Sequence, residues 1–423
     1  MNVEEIKSIL KDQKDELKGF LSGKIIERDT PEMLSFLKTP NVLALLGVRR
    51  CGKSTLAAML LMGSDFGYVN FDDERLAGIT SDSLNKVLQA VYELEGSEPK
   101  YLLFDEIQDV KGWELFVGRM RRSKRVVITG SNAKLLSGEL ATHLTGRYID
   151  FTIFPFSFKE FLRFNGIKAP NVMSTFEEAQ IKREFERYLN LGGFPEALTI
   201  GKAMLPRLYG DILQKDLISR YKIRNSQAFR ELAKYLISNA GREVSYSKLA
   251  KIVSIKNVHT VKNYVEYLRS SYLIVVIERF SFKLKQQILA PKKVYCIDNG
   301  VIEAVGFNIA DLRGVLMENL TAIELQRRSS GHVSPLEIFY WRDYSQREVD
   351  FVVKEGRKVK QLIQVTYASE KTEVREREIK ALLSASRELR CSNLLVITYD
   401  YEGEEKVKGK TVRYVPIWKW LLQ

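Results

Sequence analysis

The 423-residue chain is 45% hydrophobic and 28% charged, with a formal net charge of +13. Its length supports two to four domains with cores of their own, and its charge favours a polyanionic partner without naming one. The lack of any 18-residue apolar run or basic-then-apolar start, and the presence of only three scattered cysteines (Cys51, Cys296, Cys391), argue against a transmembrane helix, a membrane partner, a signal peptide and a disulfide framework, and point to the cytoplasm.

Residues 1–22 place Ile6, Ile9, Leu10, Leu17 and Phe20 at helical spacing among charges, and a second helix is expected near Glu32–Leu37. The apolar run Asn41–Leu46 then reads as a strand. It leads into Gly47-Val48-Arg49-Arg50-Cys51-Gly52-Lys53-Ser54 and the helical run Thr55–Leu61. Strand, glycine turn and helix around the spacing G-x-x-x-x-G-K-[ST] make a phosphate-binding loop. Its glycines let successive N–H groups curl toward a triphosphate, and the helix that begins near Lys53 offers the same anion its N-terminus. The stretch therefore predicts ATP and Mg²⁺ as cofactors, held by Gly47, Val48, Arg49, Arg50, Cys51, Gly52, Lys53, Ser54 and Thr55. Lys53 is expected at the β- and γ-phosphates and the Ser54 hydroxyl at Mg²⁺.

Strands and helices alternate from here. A short strand, Phe66–Phe71, ends in Asp72-Asp73-Glu74, which read as loop acids, and a helix follows at about 80–95. Tyr101–Phe104 is a buried strand ending in Asp105-Glu106. Trp113–Arg122 is helical, Arg125–Thr129 is a strand running into Gly130-Ser131-Asn132, and Tyr148–Ile153 makes a fifth strand. Near-continuous apolar strands separated by helices predict a parallel sheet covered on both faces, with its ligand beyond the carboxyl ends of the strands. Gly47, Asp105, Glu106 and Asn132 all fall at such ends and should converge. Asp105 is expected to join Ser54 in holding Mg²⁺, and Glu106 to orient the attacking water, because phosphoryl transfer needs positioning and charge neutralisation more than covalent help. Asn132 is placed to touch the γ-phosphate or the water, with a helix N-cap as the alternative.

Phe156 to about Asn225 reads as helical, with one break at Gly192-Gly193-Phe194-Pro195. Leu232–Val253 and Val258–Ser270 are expected as two helices around a turn at 254–257, and Tyr272–Phe282 as a β-hairpin. That order outlines a winged helix. Between Arg230 and Lys285 eleven Lys/Arg stand against four Glu, a net +7. Residues 230–285 are thus the expected contact to nucleic acid, with DNA the favoured form. Asn257, His259, Lys262 and Asn263 lie on or beside the second helix, and Lys283 and Lys285 follow the hairpin. Use of this segment only for packing is the alternative. A third αβ unit follows: a helix at 316–328, strands at Glu337–Trp341, Glu348–Val353 and Gln361–Tyr367, a helix at 373–388 and a strand at Asn393–Thr398.

The chain resembles archaeal and bacterial AAA+-like ATPases whose C-terminal half carries a restriction-endonuclease-like domain. The resemblance rests on Gly47–Ser54, Leu103–Gln108, Gly130-Ser131-Asn132 and Gly146-Arg147 with Pro155–Phe161. It also rests on Gly192–Glu196 and on Trp341-Arg342 with Glu348–Phe351, and it spans nearly the whole chain. It implies an α/β architecture in four parts: a P-loop AAA+-type parallel sheet domain (1–155), a helical lid (156–228), a winged helix (229–310) and an endonuclease-like α/β domain (311–423). By the same resemblance Arg147 is an arginine finger acting across a subunit interface or a phosphate sensor within the chain, an ordinary surface arginine being the alternative. Glu318 and Asp350 match two acidic positions of a PD-(D/E)xK-type site. The E-x-K element stands here as Gln364-Val365-Thr366, so neither its anion nor its cation is supplied, and Glu348 is left as the candidate substitute for the anion. The expected activity is ATP hydrolysis coupled to rearrangement of a homo-oligomer on nucleic acid. A signal-transducing ATPase switch with protein partners is the alternative, and an active ATP-dependent nuclease a third.

Overall fold

Five apolar runs in the first 153 residues become five parallel strands: β1 (Val42–Leu46), β2 (Phe66–Asn70), β3 (Tyr101–Asp105), β4 (Arg125–Gly130) and β5 (Tyr148–Thr152). The computed structural model describes residues 1–423 apart from 31, 134–143, 145, 171, 308–311 and 331–335. Those residues form two compact units, Met1–Ile153 and Phe154–Gln423.

In the first unit the strand order is β2-β3-β4-β1-β5. β1 lies inside the sheet, and all five of its residues are buried. Each of its Val and Leu side chains contributes roughly 1.5–3 kcal/mol by leaving water. The helix Val3–Leu21 packs on Leu84–Glu95 and on β2, while Lys53–Leu60 packs on β1, β3 and β4. From β1 the chain crosses to β2 at the far edge and returns through β3 and β4 to lie beside β1. The crevice at the carboxyl end of β1 is therefore the point where strand order reverses, the usual seat of a ligand in an open parallel sheet.

The second unit opens with the helix Phe158–Phe164. Ser157 and Glu160 form its capping box, with the Ser157 hydroxyl accepting from the Glu160 amide and the Glu160 carboxylate from the Ser157 amide. Further helices run over Thr175–Leu191, Pro195–Ile200 and Met204–Asp211, the last passing into a π-helical stretch at Ile212–Ser219. The expected helix Leu232–Val253 is two helices, Ser226–Ser238 and Tyr246–Ile252, around β6 (Glu243–Val244). Gly241, with φ of +79°, turns the chain, and Ser245 caps the second helix. The helix Val258–Ser270 has the expected bounds. The expected hairpin at Tyr272–Phe282 is a single strand, β7 (Ile274–Arg279). Its antiparallel partner is β8 (Lys292–Cys296), and a short helix, Leu284–Leu289, lies between them.

β9 (Leu336–Arg342), β10 (Glu348–Glu355), β11 (Lys358–Val365), β12 (Leu394–Thr398), β13 (Gly403–Val407) and β14 (Lys410–Pro416) complete one nine-stranded sheet. Its order is β13-β14-β12-β11-β10-β9-β7-β8-β6. β7 joins β9 in parallel, so the sheet is continuous from the basic segment into the C-terminal strands. Trp341, Val349, Val352, Leu362, Leu382 and Val396 lie in the core on this side. Among the described residues no helix is long and apolar enough to cross a membrane.

Candidate active site

The loop after β1 is shaped by two glycines. Gly47 has φ of +156°, and a Cβ there would lie 2.1 Å from the Ile153 carbonyl oxygen. Gly52 has φ of +96° and starts the helix Lys53–Leu60, whose end carries no side-chain cap. A helix N-terminus without a side-chain cap is the kind of end that takes an anion. Arg28 braces the loop by donating to the Cys51 carbonyl at 3.0 Å. Sequence reading missed Arg28, which lies 19 residues before the loop with no motif around it. Val48 and Cys51 are buried, Arg50 is exposed, and Arg49 reaches Asp72 at 3.4 Å.

Lys53, Ser54, Asp105 and Glu106 meet in this crevice. The Lys53 ammonium is buried, donates to the carbonyls of Gly47 and Val48 at 3.2 Å each, and lies 3.5 Å from the Glu106 carboxylate. The Ser54 hydroxyl donates to Asp105 Oδ1 at 2.9 Å, the Thr129 hydroxyl donates to the same oxygen, and Tyr68 donates to Oδ2 at 3.3 Å. Glu106 sits in the left-handed region, at φ of +49°. Its amide donates to Thr129 Oγ1 at 3.0 Å, and its carboxylate accepts from the Ser131 amide at 3.2 Å and from Gln108. A non-glycine residue in this region signals a constraint, here the need to turn a carboxylate at a strand end toward the lysine. Asn132 is buried, one residue beyond the Ser131 amide.

The two carboxylates differ electrostatically. Burial, reinforced by Glu106, pushes the Asp105 carboxyl up, while hydrogen bonds from Thr129 and Ser54 oppose the rise. Burial also disfavours the Glu106 anion, but Lys53, Gln108 and Arg49 outweigh it and hold that carboxyl below its ordinary value. Glu106 is thus the ionised acceptor. The Ser54 hydroxyl and Asp105 carboxylate are oxygen donors of the kind a hard cation takes. Among the described residues, two buried polar atoms beside Glu106, Ser131 Oγ and Gln108 Oε1, find no partner. Glycine cradle, uncapped helix, buried lysine and unpaired polar atoms fit a magnesium-bound triphosphate.

Arg147 is not brought to this crevice. It is exposed and precedes β5, and its carbonyl accepts from the amide of Val42, the first residue of β1. Val42 pairs with Tyr148 and Leu46 with Thr152, so Arg147 lies at the amino ends of the strands. The loop lies at the carboxyl ends, roughly 20 Å away at about 3.3 Å per residue. This placement favours the reading of Arg147 as a residue that acts across a subunit interface over that of a phosphate sensor within the chain. Asp73 is a loop acid, as expected, and binds Arg75 at 2.9 Å.

The second unit holds the other sites read from sequence. Ten of the eleven Lys/Arg between 230 and 285 are exposed, Arg279 being half-buried. Asn257 caps the helix Val258–Ser270 by accepting from the His259 amide at 2.9 Å, so its side chain is already engaged. His259 and Lys262 are exposed, and Asn263 lies 3.4 Å from His259. In the C-terminal strands a lysine from another strand stands among the acids. Lys293 of β8 is buried, with its ammonium 2.6 Å from Glu348, 2.9 Å from Glu318 and 3.4 Å from Asp350. Gln364 donates to Asp350 at 2.6 Å, and Tyr295 to Glu318 at 2.7 Å. Burial, with Glu318 next, pushes the Asp350 carboxyl up. Sequence reading sought this lysine on the strand of Gln364 and Thr366. It comes instead from a strand earlier in the chain, where Lys292-Lys293 gave no sign of burial.

A model of the AAA domain matches residues 39–162, and models of two domains of unknown function, DUF8612 and DUF4143, match residues 182–312 and 313–420. An uncharacterized protein of Methanocaldococcus jannaschii is 36% identical over 428 residues, covering 96% of this chain and 93% of that protein. A second, from Haemophilus influenzae, is 29% identical over 427 residues, covering 95% of this chain and all of its own length. Among solved structures, the Walker-type ATPase of Pyrococcus abyssi is similar at 18% identity, covering 66% of this chain and 96% of that one, with a TM-score of 0.44. The loop of glycines, the buried lysine and the paired carboxylates lie inside the matched AAA domain, and the chain, which carries this AAA-type ATPase domain, belongs to the family of the M. jannaschii protein.

Proposed function

We propose that the first unit binds Mg-ATP at Gly47–Thr55 and hydrolyses it, and that this cycle works on DNA through residues 230–285 of a homo-oligomer. The meeting of Lys53, Ser54, Asp105 and Glu106 at the carboxyl ends of β1 and β3 carries the reading. Backbone N–H groups of the loop and the Lys53 ammonium would bind the phosphates, and Ser54 and Asp105 would hold Mg²⁺. The metal supplies neutralisation of the charge that spreads over the transferred phosphoryl group. Glu106, kept ionised, would accept from the attacking water and fix its direction, with Asn132 beside it.

The segment order helix, β6, helix, helix, β7, β8, with sheet order β6-β8-β7, supports a winged helix within 229–310. A helical lid at 156–228 and an endonuclease-like domain at 311–423 complete the proposed division, in a cytoplasmic protein. Nucleotide assays test the core of the reading. Lys53→Ala should abolish ATP binding. Glu106→Gln should bind ATP and turn it over at least ~100-fold more slowly. Equal turnover in Glu106→Gln and the unaltered chain would remove the role given to Glu106.

A further inference from the structure

Apolar side chains crowd the β7–β8 connection and stand mostly in water. Phe282 is 72% exposed, Leu284 68%, Ile288 59% and Leu289 73%. All four fall within residues 282–289, alternating with Lys283 and Lys285. Leu284 and Ile288 are one turn apart on the helix Leu284–Leu289 and share a face, and Lys285 stands in the same relation to Leu289. The connection is held in place. Glu278 of β7 accepts from Lys292 at 2.9 Å and from Gln287 at 2.8 Å, the Ser281 hydroxyl bonds Gln286 at 3.0 Å, and Phe282 packs edge-on against Phe280 with centroids 5.2 Å apart. Glu278, the acid of this hairpin, is thereby engaged with Lys292. An ordered, exposed apolar cluster beside exposed cations marks an interaction site.

The charge selects the partner. Net +7 over residues 230–285 suits a polyanion, and Lys283 and Lys285 sit within the apolar cluster itself. A phosphate backbone gives Phe282, Leu284, Ile288 and Leu289 nothing to bury against. Base faces do, and they are uncovered only where bases are unpaired or unstacked, as in a single strand or at the mouth of a fork.

We infer that the β7–β8 connection binds nucleic acid with uncovered bases, its apolar side chains against base faces and Lys283 and Lys285 against the flanking phosphates. This rests on the DNA reading above and narrows it to a class of substrate. Binding of the full chain to a labelled single strand, a splayed fork and a blunt duplex of equal length, at several salt concentrations, tests it. The unaltered chain should favour the single strand and fork over the duplex by about tenfold. In Leu284→Ser/Ile288→Ser/Leu289→Ser, which leaves the Phe280–Phe282 contact in place, the preference should fall to within about twofold while the salt slope holds, because no cation is removed. Melting temperature should match the unaltered chain. Retained preference in this variant overturns the base contact and leaves general DNA binding standing. Absence of salt-dependent binding to any of the three DNAs overturns the DNA reading together with it. A change in sedimentation with unchanged DNA binding assigns the cluster to contact between copies and overturns the inference.

Discussion

Three carboxylates converge on the ammonium of Lys293, which is 2% exposed. Burial alone would drive such a lysine toward its neutral form, but Glu318, Tyr295, Asp350 and Glu348 outweigh it and hold it firmly charged. Sequence analysis expected neither an anion nor a cation from Gln364-Val365-Thr366. Gln364 does fail to supply an anion, yet a cation is present, and it sits at the centre of the acids, where a metal would need to be. This chain should therefore show no Mg²⁺- or Mn²⁺-dependent cleavage of linear, single-stranded or branched DNA. Lys293→Gln should lose ~3 kcal/mol or more of stability, because the buried Asp350 and the partly buried Glu318 would be left without this counter-charge. Added Mn²⁺ should raise the melting temperature of that variant and leave the unaltered chain unchanged. Cleavage by purified protein that Asp350→Ala abolishes would overturn the assignment and make the acids metal ligands.

At the level of elements, legibility followed whether each segment announced its own burial. β1, β3 and β4 are continuous apolar runs, and the helix Val258–Ser270 has Asn257 as its cap, so their bounds could be read directly. β13 was not anticipated because it is a polar edge hairpin, Gly403–Val407, with Glu404 and Lys406 facing water. β8 was hidden by Lys292 and Lys293, which are buried only because Glu278 and the Glu318 cluster neutralise them. The helix break at Gly192–Pro195 was visible, but its cause lay 105 residues away. Asp298 accepts from the Gly193 amide at 2.7 Å, and a Cβ on Gly192 would lie 1.9 Å from that carboxylate. Burial pushes the Asp298 carboxyl up to about 6 despite its amide donors. The native state therefore binds this proton more tightly than the unfolded chain. The resulting stability is complete below pH ~4 and is lost as pH rises through about 6. Asp298→Asn removes the titration, and any packing cost it adds is constant with pH. The stability of the unaltered chain relative to Asp298→Asn, from urea unfolding, should fall by about 2 kcal/mol between pH 4 and 7. A difference flat in pH would mean that Asp298 is ionised throughout.

For the whole molecule, the position of Arg147 bears on assembly. It is exposed at the amino ends of the strands, so a contact with a γ-phosphate would be made to the nucleotide of a neighbouring copy. Arg147→Ala should bind ATP normally and hydrolyse it poorly. Mixing it with Glu106→Gln should restore part of the activity, because some interfaces in the mixture then carry both Arg147 and Glu106. No recovery in a mixture shown to exchange subunits would make Arg147 an ordinary surface residue. The same oligomer would present several copies of the basic segment to one DNA, and salt dependence reads how many phosphates each engages. Neutralised phosphates release counterions, so log affinity should fall steeply and linearly with log salt. Lys262, Lys283 and Lys285 are exposed on one segment of net +7, and replacing all three with Ala should lower the slope by about one unit for each phosphate that is no longer neutralised. The effect should be uniform across sequences, since phosphates carry no base identity. A slope that stays flat in the unaltered chain would replace DNA with a protein partner and turn the ATP cycle into a signalling switch.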